Sequence, residues 1–149
     1  MRINKQDNQA MLKLQQVGVN YVAQSWPLVE KHLKRALEYA GDDYTIDQVK
    51  VYVSSGQWLL IGFLDENEIK GALTVSFVNY PNKRVAFITL IGGKLIANQD
   101  TYKQLSNICK AHGATKIQGA GRPAIVRLWR KLGFKERYAI VENNLWADS

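Results

Sequence analysis

The chain has 149 residues, 46% apolar and 22% charged, with a formal charge of +7. That is the make-up of one globular domain, 1–149, with a core that needs no staples. A lone cysteine, Cys109, excludes an intrachain disulfide, and two distant histidines, His32 and His112, offer no zinc-ligand set. No apolar run approaches membrane-spanning length and the N-terminus lacks an apolar h-region, so a cytoplasmic chain without a span or secretory signal is expected.

Residues 1–20 are polar; Met11, Leu12, Leu14, Val17 and Val19 fit a short helix or a first strand. Ser25 is a candidate N-cap with Pro27 in the first turn. Trp26, Val29, Leu33, Leu37 and Ala40 follow on one helical face, and Gly41 is the expected stop. Thr45-Ile-Asp-Gln48 has the capping-box pattern and predicts a second helix with Ile46, Val49 and Val53 inward, ending near Gly56. Its β-branched content makes a strand the competing reading.

The period then changes. Trp58–Leu64 is a continuous apolar run, Asp65–Asn67 an acidic tight turn and Ile69–Tyr80 a long strand. After the turn Pro81-Asn82-Lys83 comes a third run, Arg84–Ile91, so the three predict an antiparallel meander. Gly92-Gly93 is expected to break the ladder. Asn98 or Asp100 caps a helix with Tyr102, Leu105, Ile108 and Cys109 inward, closed by Gly113. Thr115–Gln118 must then run parallel to an earlier strand, because a helix intervenes.

Thr115 to Phe134, TKIQGAGRPAIVRLWRKLGF, reads as a buried strand, a glycine-rich turn, an amphipathic helix and a Gly-Phe stop. Pro123 suits the first helical turn, where its missing N–H would have no partner. Ile125, Leu128, Trp129 and Leu132 share one face, and Gly133 tolerates the positive φ of a helix end. Phe134 opens a last strand over Arg137–Val141 that extends toward Trp146. The sum is an α/β domain with a mixed, mostly antiparallel sheet flanked by about four helices. Arg122, Arg127, Arg130, Lys131, Lys135 and Arg137, against Glu136 alone, put most of the net charge on one segment. It is either a solvated helix face or a docking face.

This element order and the pattern GRP–x5–W–x3–GF resemble the Gcn5-related N-acetyltransferase (GNAT) superfamily over the span from Ser25 to Val141. They are similar, more narrowly, to divergent GNAT-like proteins encoded by bacteriophages. The resemblance implies acetyl-CoA in a cleft where two parallel central strands splay apart. It implies Leu90, Ile91, Gly92, Gly93, Lys94, Arg122 and Trp129 as cofactor-binding residues, with no metal. Backbone amides and a helix N-terminus would hold the pyrophosphate. Three positions depart from the family. The phosphate turn, usually Arg/Gln-x-x-Gly-x-Gly/Ala, reads GGKLIAN from Gly92 to Asn98. The tyrosine that commonly protonates the departing thiolate is Trp129, whose indole is no acid near neutrality. The common asparagine is Arg122, able to hold a phosphate or carboxylate bidentately.

No catalytic residue is assigned. Tyr80, Glu66, Glu68, Cys109 and His112 each have a simpler reading: strand-end packing, hairpin turn, core, and helix C-terminus. The expected function is an acetyl-CoA-dependent N-acyltransferase whose acceptor amine is unknown, and the net positive charge disfavours a polycation. The alternative is a catalytically inactive phage protein, in the virion or on a host factor, that docks an acidic macromolecular partner on the Arg122–Arg137 face. Nucleic acid is not expected as a partner, because no DNA-binding module accompanies the charge.

Overall fold

Five strands form one sheet whose spatial order is their order in the sequence; the computed structural model describes residues 12–93, 96 and 98–146. β1 (Lys13–Val17), β2 (Trp58–Asp65), β3 (Glu68–Tyr80) and β4 (Lys83–Gly93) pair antiparallel, and β5 (Lys116–Gly119) runs parallel to β4. The helices are α1 (Val22–Leu37), α2 (Ile46–Ser54), α3 (Gln99–Ala111) and α4 (Pro123–Arg130). The mixed, mostly antiparallel sheet with four helices is the expected class. Residues 13–17 resolve the open N-terminal reading in favour of a strand, while Met11 lies outside the described residues.

The sheet separates two cores. Val22, Trp26, Val29 and Leu33 of α1 and Val49 and Val53 of α2 meet Leu60, Ala72 and Leu90 on one face. On the other, Leu105 and Cys109 of α3 and Ile125 and Trp129 of α4 meet Ile61, Phe63, Leu73, Val75, Ala86 and Ile88. Burying such side chains stabilises the fold by about 1.5–3 kcal/mol each. The capping box forms as expected: Gln48 N donates to Thr45 Oγ1 at 3.2 Å, and Thr45 N to Gln48 Oε1 at 2.9 Å.

Several expectations need correction. α1 begins at Val22, so Ser25 is inside the helix rather than its cap, and Pro27 lies on an exposed face beyond the first turn. Val22 is 1% exposed, and its packing extends the helix at the N-terminal end without a side-chain cap. α1 winds down through short turns to Ala40, and Gly41 (φ +70) redirects the chain. Gly92-Gly93 does not break the ladder, since these residues pair with Ala72 and Gly71 of β3. The strand predicted at Thr115–Gln118 is Lys116–Gly119, half-buried rather than buried. The last predicted strand, Arg137–Val141, does not form: residues 135–146 pair with no strand, and Ile140 and Val141 are 80% and 91% exposed. Phe134 instead packs against Trp129 and Tyr102.

Candidate functional site

β5 pairs with β4 only from Val85 to Ile88, and β4 then runs five residues further with a partner on β3 alone. A β-bulge marks that point. Val75 faces Ile88 and Thr74 faces Leu90, so Thr89 has no counterpart on β3. An extra residue shifts the two-residue alternation of side chains by one. Ala86 and Ile88 accordingly join the α3/α4 core, whereas Leu90 joins the α1/α2 core. The Thr89 hydroxyl lies 2.6 Å from that of Thr74, tying the bulge to β3.

Where the strands part, a cleft of about 720 Å³ opens, lined by β4 from Phe87 to Gly93, by Ala120–Arg122 after β5, by Ile125 and Trp129 of α4, and by the end of α1. It therefore reaches residues on both sides of the sheet. Arg35, Tyr39, Asp43 and Tyr44 line the mouth on the α1/α2 side. A second cleft of about 680 Å³ lies between β5 and the segment Phe134–Ile140, which runs beside β5 without joining the sheet.

Leu90, Ile91, Gly92, Gly93, Arg122 and Trp129 all line the first cleft; Lys94 lies outside the described residues. The glycines have a structural task. A Cβ on Gly92 would sit 2.7 Å from the His32 carbonyl carbon and nearer still to its oxygen, so α1 crosses the sheet there at backbone contact. His32 itself has a buried Nε2 without a hydrogen-bond partner. Burial, reinforced by the charges of Lys31 and Arg35, holds the imidazole below the usual histidine pKa, against a hydrogen bond to the Ile69 backbone that acts in the other direction.

The N-terminus of α3 is already occupied by its own chain. Asn98 Oδ1 accepts from Thr101 N at 2.9 Å, and Asp100 adds a carboxylate in the first turn. A capped helix start carrying a negative charge is a weaker anion site than an open one. Arg122 stands at the start of α4, its guanidinium 3.9 Å from the centre of the Tyr39 ring. Trp129 is 4% exposed, with its Nε1 buried and unpartnered. Its benzo edge fills the space beside Gly119, where a Cβ would approach Cζ3 to 2.9 Å.

The other candidates keep their simpler readings. Glu66 is in the β2–β3 turn at φ 51, Glu68 pairs with Lys70 at 3.2 Å, and Tyr80 is exposed beneath Lys83. Cys109 is buried in the core, and burial pushes its thiol up to about 11. His112 ends α3, stacks on Phe77 and lies 3.1 Å from Gln16 Oε1. Sequence reasoning missed Thr89, Arg35, Tyr39, Asp43 and Tyr44. A bulge leaves no mark in the alternation of RVAFITLI, and the other four lie at the end of α1 or in the turn after it. Among the described residues, no helix is long and apolar enough to cross a membrane and no acidic, His or Cys group is placed to hold a metal.

No protein-family model and no curated protein matches the chain. Solved structures do. An aminoglycoside acetyltransferase, meta-AAC0020, from an uncultured soil metagenomic sample and in complex with sisomicin superposes with a TM-score of 0.67 at 12% identity, covering 93% of this chain and 99% of that one. A predicted acetyltransferase with acetyl-CoA from Clostridium acetobutylicum gives 0.61 at 14% identity, covering 91% and 97%. Aminoglycoside N-acetyltransferase AAC(6')-Iy in complex with CoA gives 0.63 at 12% identity, covering 89% and 93%. Strand order, splay and neighbours agree: this chain has the GNAT acetyltransferase fold.

Proposed function

We propose that the protein is an acetyl-CoA-dependent N-acyltransferase, and the splay of β4 from β5 at the Thr89 bulge is the observation that carries this reading. Beyond Ile88 the main chain of Leu90 and Ile91 has no strand on its cleft side, which suits an extended, amide-bearing arm laid along it as an added strand. The walls supplied by Ile125 and Trp129 are apolar, as a ligand cleft of this size requires. The pyrophosphate end fits less well, because Asn98 and Asp100 occupy the start of α3.

When bound, acetyl-CoA supplies an acyl thioester: the C–S bond is exchanged for a C–N bond, and the amine's proton for the thiol's. The chain's contribution is placement, which alone can supply much of a bimolecular barrier. Trp129 shapes the cleft beside Gly119 but has no proton of usable acidity, so it is not the group that protonates the leaving thiolate. The acceptor is an amine entering by the mouth opposite α3, and the aminoglycosides bound by neighbouring structures are one class to test.

A second reading has two features in its favour. The capped, acidic start of α3 and the exposed Arg127, Lys131, Lys135 and Arg137 suit a GNAT-shaped binding protein, of the phage type, that docks an acidic partner without catalysis. Calorimetric titration with acetyl-CoA separates the two. The acyltransferase reading expects a Kd on the order of 10 μM. Ala120→Trp, at an exposed residue of the cleft wall, should weaken binding at least about tenfold without lowering the melting temperature. No heat at millimolar ligand, with the protein folded, would overturn it.

A further inference from the structure

We infer that the acceptor carries a carboxylate close to its amine, as an amino acid or the end of a short peptide does, and is not a polycation; this rests on the acyltransferase reading above. The α1/α2-side mouth of the cleft is lined by two cations, Arg35 and Arg122, and one carboxylate, Asp43. Arg122 is the informative member. It starts α4, after the end of β5, yet its guanidinium carbon lies 3.9 Å over the Tyr39 ring of the turn that follows α1, so it spans the two walls of the mouth.

A guanidinium held over an aromatic ring by cation–π attraction is anchored without using its N–H groups, which stay available for bidentate carboxylate recognition. Arg35 adds a second positive group at the same opening. α3, whose start the resemblance assigns to the cofactor's pyrophosphate, packs on the other side of the sheet from Arg35, and although Arg122 starts α4 on the α3 side, its guanidinium sits over Tyr39 after α1, so these arginines are placed for the second substrate. Tyr39, Tyr44 and Ile140 supply aromatic and apolar surface at the opening, which suits an uncharged acceptor side chain. A compound with several ammonium groups would meet two arginines and a single Asp43, and like charges at short range are unfavourable.

The test is thiol release from acetyl-CoA with four probes: L-phenylalanine, phenylalanyl-glycine, L-phenylalaninamide and sisomicin. The two carboxylates should be turned over with kcat/KM at least about tenfold above the amide and above sisomicin, a difference of about 1.4 kcal/mol. This holds although the amide has the less basic, more readily deprotonated amine. Arg122→Ala and Arg35→Ala should raise KM for L-phenylalanine at least about tenfold, leave KM for the amide unchanged, and leave the calorimetric Kd for acetyl-CoA unchanged. A merely structural role would move both acceptors alike.

Preference for sisomicin or the amide overturns the inference, as does failure to acetylate either carboxylate while acetyl-CoA binds. A Kd for acetyl-CoA weakened by Arg122→Ala with acceptor KM intact also overturns it, because the arginine would then hold cofactor phosphate. Absence of acetyl-CoA binding to the wild type overturns the acyltransferase reading itself.

Discussion

Replacing Gly92 with alanine puts a methyl group 2.7 Å from the His32 carbonyl carbon and closer to its oxygen, where folded proteins place no Cβ. The obstacle is backbone on both sides. Gly92 is held in register with Ala72, and the His32 carbonyl is part of α1, whose Val29 and Leu33 are fully buried. Neither element moves without disturbing a core cluster, so the cost belongs at the upper end of overpacking, about 3 kcal/mol. With a urea m-value of about 1.5 kcal/mol/M, the unfolding midpoint falls by about 2 M. Gly62→Ala is the control, since a Cβ there meets nothing within 4 Å, and its midpoint should stay within about 0.3 M of wild type. Urea titration followed by tryptophan fluorescence reads both. A Gly92→Ala midpoint as close to wild type as that of Gly62→Ala would refute the claim that this glycine serves helix-on-sheet contact.

Two further outcomes concern titratable groups whose ionisation burial disfavours. His32 is held below its ordinary pKa of 6.5 by burial and by Lys31 and Arg35, so the unfolded chain takes up its proton first. Its contribution to stability is complete above pH 6.5 and is lost as the pH falls below it; urea titrations from pH 7 to pH 5 should show a shallower acid decline for His32→Gln, and equal slopes would refute the assignment. Cys109, with its thiol raised to about 11 and its side chain buried, should resist labelling by an aromatic disulfide at pH 8 and react at once in urea. Rapid native labelling would place it outside the core.

The fold was legible wherever periodicity and punctuation agree. Thr45–Gln48 announced α2 through a reciprocal cap, and the Glu66-Asn67 turn between two apolar runs announced the β2–β3 hairpin. The Pro123 start and the Gly133 end of α4 are equally local signals. Tertiary packing overrode local signals elsewhere. Val22 drew α1 past the Ser25 cap, and the segment Arg137–Val141 stayed out of the sheet although β5 offers an open edge. The site was half legible. Leu90, Ile91, Arg122 and Trp129 line the cleft, but the reason for Gly92 was hidden, because nothing near it in sequence points to His32 sixty residues away. Arg35, Tyr39 and Asp43 likewise join Arg122 only through folding.

The short pairing of β5 also bears on how the molecule assembles and opens. β2, β3 and β4 are joined by tight turns, so their ladders close over few residues, whereas Val85 must wait for Lys116 across the whole of α3. Loop-closure entropy puts such a non-local parallel pairing late in folding. A strand of four residues with one neighbour is also the cheapest piece to release from a finished sheet. The wall that completes the cleft is therefore the last to be built and the first to loosen. A ligand bridging β4 and the turn after β5 would act as a clasp, slowing amide exchange in β5 and α4 while leaving the meander unchanged.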